Sequence, residues 1–480
     1  MITMPDLPGI RLGVVRGISY GLFGRPDEFL PAARGIGAGL VRVYLYWGQV
    51  EPEPGRYVWD TVDALLRQLD GDEEIWVTVC SSSPWATRVA TDFLPPSPAK
   101  DPDTYGAFIR ALVRHCAGRV RYWQCDNEPS NDLLWSGTAD EYVAQLATMH
   151  RAVREADPTA AVVLGGCGYD VLSSAEGSEP RRFFDHVVRE GREWFDLFDV
   201  HLYGDPARVP DYLQTARQLM RAHGYARPIV AGEHGGPVPF EFPEVDSVVQ
   251  EVFVSAFATP PASQSTDELI AQATQLTPER RAMTALYARM SDLPPRLQMF
   301  LHGCPPEWEA KRHRINCRQI VARTVLALAG GVGRLAYWNL APEVPGATDP
   351  YQMMHLMFGK LPILDYRDGA LRHRHPGAGT FALLAGQLAG AVAVSRLETP
   401  GWPGGYAFEV ERADRDRLLV LWDGRDTFDG EDEPPVSVAL PWPADAATAI
   451  DAFGEPVASR VDGGTLRLEV TDTPVFVSPA

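Results

Sequence analysis

The sequence predicts an α/β protein: a (β/α)8, or TIM, barrel with a long insertion after strand seven and a C-terminal antiparallel β-sandwich. Three observations carry this. Short β-rich apolar runs alternate with longer helical patterns, the order expected of parallel strands joined by helices. About 100 residues separate the seventh and eighth runs, far more than a βα unit requires. Past Gly379 and one further helical pattern, the composition shifts to short strands broken by Gly, Asp and Pro.

Taken in order, the barrel strands fall at Leu12–Ser19, Leu40–Tyr46, Ile75–Cys80, Val120–Cys125, Ala161–Gly165, Leu197–Leu202, Ile229–Gly232 and Arg334–Trp338. Helical periodicity fills most of the intervals, as at Tyr105–Cys116, Ala139–Glu155 and Tyr212–His223. The segment Pro237–Glu307 is the insertion. It holds a Pro/Ser/Thr stretch, Thr259–Thr266, and a helical pattern, Pro278–Met290, before a barrel helix at about His313–Leu328. Loops after barrel strands gather at the C-terminal face, where active sites lie, so the insertion reads as a lid or specificity wall. An oligomer contact or a decorative subdomain is the equal alternative. A last helix, Thr380–Leu388, precedes strands at Tyr406–Val410, Arg417–Trp422, Val436–Leu440 and Thr465–Val470. The expected division is a catalytic barrel over 1–391 and a sandwich over 392–480.

A chain of 480 residues suits a large barrel with an accessory domain. Its net charge of -19 argues against general nucleic-acid binding, since phosphate is repelled. It fits an enzyme acting on a neutral or cationic ligand. No run approaches the ~20 apolar residues of a membrane span. The start, MITMPDLPGI, has neither a basic region nor an apolar core, which predicts a cytoplasmic protein with no signal peptide. Cys80, Cys116, Cys125, Cys167, Cys304 and Cys317 form no CxxC pair and are expected to be buried thiols.

Two carboxylates carry the chemistry. Asn127-Glu128-Pro129 follows the fourth strand. Cleaving a glycosidic bond needs one carboxyl group that is protonated at working pH, and an adjacent amide can hold a sugar hydroxyl. Read alone, the tripeptide also fits a surface turn. Three strands later, Ile229–Gly232 ends at Glu233, flanked by glycines that let backbone approach ligand. A second carboxylate there can attack the anomeric carbon, although alone it also fits a solvated loop. Two such groups on parallel strands would meet at one barrel mouth. Retaining chemistry would set them roughly 5–5.5 Å apart.

The sequence resembles clan A of the glycoside hydrolases, retaining (β/α)8 enzymes. In that clan the acid/base follows Asn at the end of strand four and the nucleophile ends strand seven. Asn127-Glu128 and Glu233 match in order. Arg42 matches the strand-two arginine that supports the nucleophile. His201 and Tyr203 match strand-six site residues, and Trp338 matches the tryptophan beneath the sugar. The run Trp47–Tyr57 looks like the loop after strand two in these enzymes, the segment Tyr122–Gly166 looks like family thirty-nine and its relatives, and the C-terminal sandwich is similar too. Asp126 beside the Asn-Glu pair and the long insertion depart from the pattern. The resemblance implies a carbohydrate substrate, double displacement, and no cofactor or metal.

Each supporting residue also has a plainer reading. Arg42, inside a strand, needs a carboxylate partner, and Glu233 is the candidate; another acid would serve as well. Its charge would keep Glu233 ionised, with Tyr203 donating to the same carboxylate, while Glu128 should be raised by burial. His201 could instead be a satisfied structural histidine, and Trp338 simple core. Trp47, Trp85 and Trp135, on loops after strands two, three and four, are weaker sugar-platform candidates. Trp123 reads as core, and His313, His373 and His375 as surface or domain-interface residues. The expected activity is exo-action or cleavage of short glycosides. An endo-glycanase, a transglycosylase and a silent carbohydrate-binding barrel are the alternatives. The oligomeric state is open, a homo-oligomer included.

Overall fold

The structure is a computed structural model that describes residues 9–256, 264–342, 344, 349–367, 370–413 and 417–480. Eight parallel strands form one sheet: β1 (Arg11–Val15), β2 (Leu40–Tyr46), β3 (Glu74–Cys80), β4 (Tyr122–Cys125), β5 (Ala161–Val163), β6 (Phe198–Leu202), β7 (Ile229–His234) and β8 (Arg334–Tyr337). Their order is β5-β4-β3-β2-β1-β8-β7-β6. Parallel bridges Val163–Leu197 and Cys167–Val200 join the two ends, so the sheet curls into a nearly closed barrel. Expected strand positions agree to within a few residues. The largest difference is at β1, which stops at Val15 because Gly17 turns the chain with φ 106.

Strand side chains alternate between the helical layer and the barrel interior. On β2, Val41, Val43 and Leu45 face outward into the main core, while Leu40, Arg42, Tyr44 and Tyr46 face inward. The interior is therefore layered. Leu40, Trp76, Tyr122, Ala161, Val163, Leu197 and Val230 pack an apolar floor. One step up lie Arg42, Thr78, Gln124 and Asp199, all buried and all polar. Helix starts follow ordinary capping chemistry. Asp101 accepts from the amides of Asp103 and Thr104 to open Pro102–Cys116, and a Thr138/Glu141 capping box opens Ala139–Ala156.

The insertion is a helical unit with helices at Pro243–Ala256, Thr266–Gln272 and Pro278–Ala288. Its own core includes Val245, Val249, Met283, Leu286 and Phe300. It is pinned to the loop after β3: Leu94 and Gln264 exchange backbone hydrogen bonds of 3.1 and 2.7 Å, and the Thr266 amide donates to Asp92 at 2.8 Å. Leu269 joins an aromatic cluster around the barrel mouth with Phe93, Tyr44, Tyr203 and Trp338. The expected Pro/Ser/Thr stretch lies largely outside the described residues.

The helix foreseen at His313–Leu328 runs longer, over Pro306–Ala329. Two C-terminal antiparallel sheets follow. One has five strands, beginning at Ala391–Arg396, and one has three. Leu419, Leu421, Leu466, Leu468 and Val477 fill the core between them. A hairpin, Leu364–Arg367 with Ala370–Arg374, was not foreseen. All six cysteines are buried and free. No helix among the described residues is long and apolar enough to cross a membrane.

Candidate active site

Glu128 and Glu233 converge on the C-terminal mouth of the barrel. One carboxylate oxygen of each, with a ring nitrogen of His201, lie within 4.8 Å of one another. The Glu233 side chain is only 7% exposed and that of Glu128 16%, so Glu128 is the one open to an arriving group.

Glu233 is the penultimate residue of β7, just past a register shift between β6 and β7. Arg42 Nη1 donates to its Oε1 at 2.7 Å, Tyr44 to Oε1 at 2.8 Å and Tyr203 to Oε2 at 2.8 Å. Burial alone would raise the pKa of this acid. His201, Arg42 and the two hydroxyls outweigh burial and hold it below the ordinary carboxylate value. The expected Arg42–Glu233 pair is present, fully buried on the arginine side. The rest of the guanidinium is saturated by Gln124, Thr78, the Gly232 carbonyl and Asn127 Oδ1, the last at 2.7 Å. Asn127 thus orients Arg42 through its oxygen, which leaves its NH2 as the part able to serve a ligand.

Glu128 sits at φ 39, and Asp126 at φ 52, both in the left-handed region that is costly outside glycine. The turn is fixed from below. Asp126 accepts from the Ser81 amide and hydroxyl at 2.7 and 2.9 Å and from Gln145 at 2.9 Å. Asp126, the departure from the clan pattern, is therefore the anchor of the loop that presents Glu128. Burial raises the Glu128 pKa; His201 opposes this, and the charges of Glu233 and Asp170 add to it. The two carboxyl groups are thus pushed in opposite directions, the arrangement a proton donor and an ionised partner require.

His201 lies between them. Nδ1 is 2.5 Å from Glu128 Oε1 and 3.5 Å from Glu233 Oε2, and Nε2 is 3.2 Å from Asp199 Oδ2. Burial favours the neutral ring, but Glu233, Asp199 and Glu128 together lift its pKa to about 10. Glu128, His201 and Glu233 are the one cluster of this kind compact enough to hold a cation among the described residues.

Trp338 is 7% exposed, edge-on to Tyr44 at 6.4 Å, with its buried indole N–H meeting no partner among the described residues. It belongs to the aromatic rim above the carboxylates. The other three tryptophans lie elsewhere. Trp47 is fully buried, stacked on Phe108 at 5.2 Å, because its position at the end of β2 faces the helix Pro102–Cys116 and not the mouth. Trp135 is buried edge-on to Tyr142 at 5.4 Å. Trp85 packs on Trp47 and donates to the Glu51 carbonyl. Trp47 and Trp135 are core residues, a correction to the platform expectation. Trp123 is core as expected. His313, His373 and His375 cluster together, away from the carboxylates.

Tyr44, Gln124 and Asp199 were not foreseen. Alternation contains the signal: Tyr44 is two residues from Arg42, and Asp199 two from His201, hence on the same interior face.

The barrel with its C-terminal antiparallel sheets is similar in fold to clan A glycoside hydrolases. Its structural neighbours are family 39 and related clan A glycoside hydrolases, over nearly its whole length. A family 39 glycoside hydrolase from the gut symbiont Bacteroides cellulosilyticus WH2 superposes with a TM-score of 0.60 at 13% identity, covering 99% of this chain and 81% of that one. A monomeric beta-xylosidase from Caulobacter crescentus CB15 gives 0.58 at 15% identity, over 100% and 98%. A family 51 alpha-L-arabinofuranosidase from Bifidobacterium longum gives 0.54 at 11%, over 99% and 97%. At such identities the likeness speaks to the fold. No protein-family model matches the chain, and no curated protein matches it in sequence.

Proposed function

We propose that this chain is a retaining glycoside hydrolase, with Glu233 as nucleophile and Glu128 as acid/base. The observation that carries the reading is the pair itself: oxygens within 4.8 Å, one carboxyl held down and the other pushed up. Glu233 attacks the anomeric carbon as the bond to the leaving oxygen breaks, and that oxygen takes the Glu128 proton. Glu128, now a base, takes a proton from water; the water oxygen bonds the anomeric carbon and Glu233 is released. Arg42, Tyr44 and Tyr203 stabilise Glu233 as an anion before and after the covalent stage. Asn127 NH2 is positioned to hold a sugar hydroxyl, and Trp338 to offer its face. The insertion, pinned across the loop after β3, supports exo-action or attack on short glycosides.

The test is a screen of α- and β-aryl glycosides, followed by proton NMR of the first-formed sugar. Retention is expected, and initial inversion would overturn the mechanism. Activity requires Glu233 ionised and Glu128 protonated. The rate should therefore fall in acid as Glu233 protonates, and fall in alkali as Glu128 deprotonates. A profile flat on the alkaline side would remove Glu128 as the titrating acid.

A further inference from the structure

We infer that Asp199 is a positioning residue: it holds His201 with both ring nitrogens protonated, so that Nδ1–H occupies Glu128 Oε1 and the acid's own proton is confined to Oε2. This rests on the reading of Glu128 as the acid. The argument begins with donor counting. Both ring nitrogens of His201 face carboxylate oxygens, Glu128 Oε1 at 2.5 Å and Asp199 Oδ2 at 3.2 Å. A carboxylate oxygen accepts, so Nε2 carries a hydrogen toward Asp199, and a second hydrogen on Nδ1 lets Glu128 Oε1 accept while the acid's proton stands on Oε2.

Asp199 is held by two donors besides the ring. It is fully buried. Gln124 Nε2 donates to Oδ2 at 2.7 Å, and the Gly232 amide donates to Oδ1 at 2.5 Å. Two glycines make the room. A Cβ on Gly232 would lie 2.5 Å from Asp199 Oδ2, and one on Gly166 would lie 2.2 Å from His201 Nε2. The carboxylate fills the β6/β7 register shift, between Asp199 and His201 on one strand and Val230 and Glu233 on the other. Gln124 also accepts from Arg42, so one amide connects the support of Glu233 to that of Glu128.

The other groups around the ring do not supply this function. Glu233 on β7 approaches Nδ1 only at 3.5 Å and is already served by Arg42, Tyr44 and Tyr203. Asp170, after β5, is bonded to Ser130, and the Cys167 thiol nearby is raised by burial. Nε2 has Asp199 as its carboxylate partner. Without that partner, a neutral ring can present a bare Nδ1 to Glu128 and draw the acid's proton to Oε1, away from the leaving oxygen.

The first test needs no substrate. The full-length wild-type protein is titrated by nitrogen-15 NMR of its histidine rings, with the His201 signal identified by its loss in His201→Gln. His201 should remain doubly protonated far above the ordinary histidine range of about 6.5. In Asp199→Asn its titration should move down by about 1–2 pH units. Titration of the wild-type ring near 6.5, or no movement in Asp199→Asn, overturns the proposal whatever the chain hydrolyses. The second test is kinetic. Asp199→Asn should lose roughly 10²-fold in kcat/KM on a glycoside with a poor leaving group, where acid assistance matters. On a dinitrophenyl glycoside, which leaves unaided, the loss should be only about two-fold. Equal losses on both would reduce Asp199 to a structural role and overturn the proposal. Absence of all glycosidase activity would instead remove the function proposed above and leave the titration to decide this one.

Discussion

The floor and the mouth of the barrel are built from the same strands, two residues apart, and they solve opposite problems. At the floor, Leu40, Trp76, Val163, Leu197 and Val230 bury apolar surface against one another. One and two steps of the pleat higher, Arg42, Gln124, Asp199, His201 and Glu233 are all buried, yet none is apolar. Burial is the same, so burial alone does not mark a core. What differs is that each polar group above the floor has a named partner of opposite or complementary character. The floor contributes stability by its area. The mouth is tolerated only while its network stays whole, because a buried charge that loses its partner is costly.

That contrast can be broken or sharpened by three substitutions. The largest effect belongs to Glu233→Gln, which removes the proposed nucleophile while keeping its shape. Activity on aryl glycosides should fall about 10⁴-fold or more, with a native circular dichroism spectrum. Unchanged activity would dissolve the functional side of the comparison. Next is Arg42→Met, which leaves Glu233 buried without its guanidinium. Chemical unfolding at neutral pH should show a loss of about 3–5 kcal/mol. The sign with pH follows from Glu233. Held below its ordinary value, the wild-type carboxylate adds stability above about pH 4.3, and this is lost as pH falls through its lowered pKa. In Arg42→Met that contribution is missing, so wild type and variant should draw together in acid. A gap that stays constant down to low pH would show that packing, not charge, holds Arg42. The smallest effect is Val230→Ala at the floor, which should cost about 2 kcal/mol by unfolding. Its kcat should stay within two-fold of wild type per folded molecule. A large kcat loss there would show that floor and mouth do not act separately.

Much of this was legible because alternation and strand ends are local properties. The eight strands followed from apolar runs, both glutamates from runs that end beside them, and the Arg42–Glu233 pair from a charge inside a strand that needs a partner. Tyr44 and Asp199 went unread although they obey the same period of two, because no chemistry had been asked of them. The tryptophans were misplaced for a different reason. At the end of a strand the next residue turns either inward or toward the helices, and Trp47 turned toward Phe108. That choice is made by the partner helix, which contributes nothing to the local pattern. The β6/β7 register shift is equally silent in sequence, since it depends on two strands at once.

Between β5 and β6 no continuous ladder is present, and the bridges Val163–Leu197 and Cys167–Val200 close the wall. The link from His201 to Glu128 passes over that seam, from β6 to the end of β4. The proton donor and the ring that steers it therefore stand on opposite sides of the bridged seam. Their contact ties one side to the other at the level of the acid.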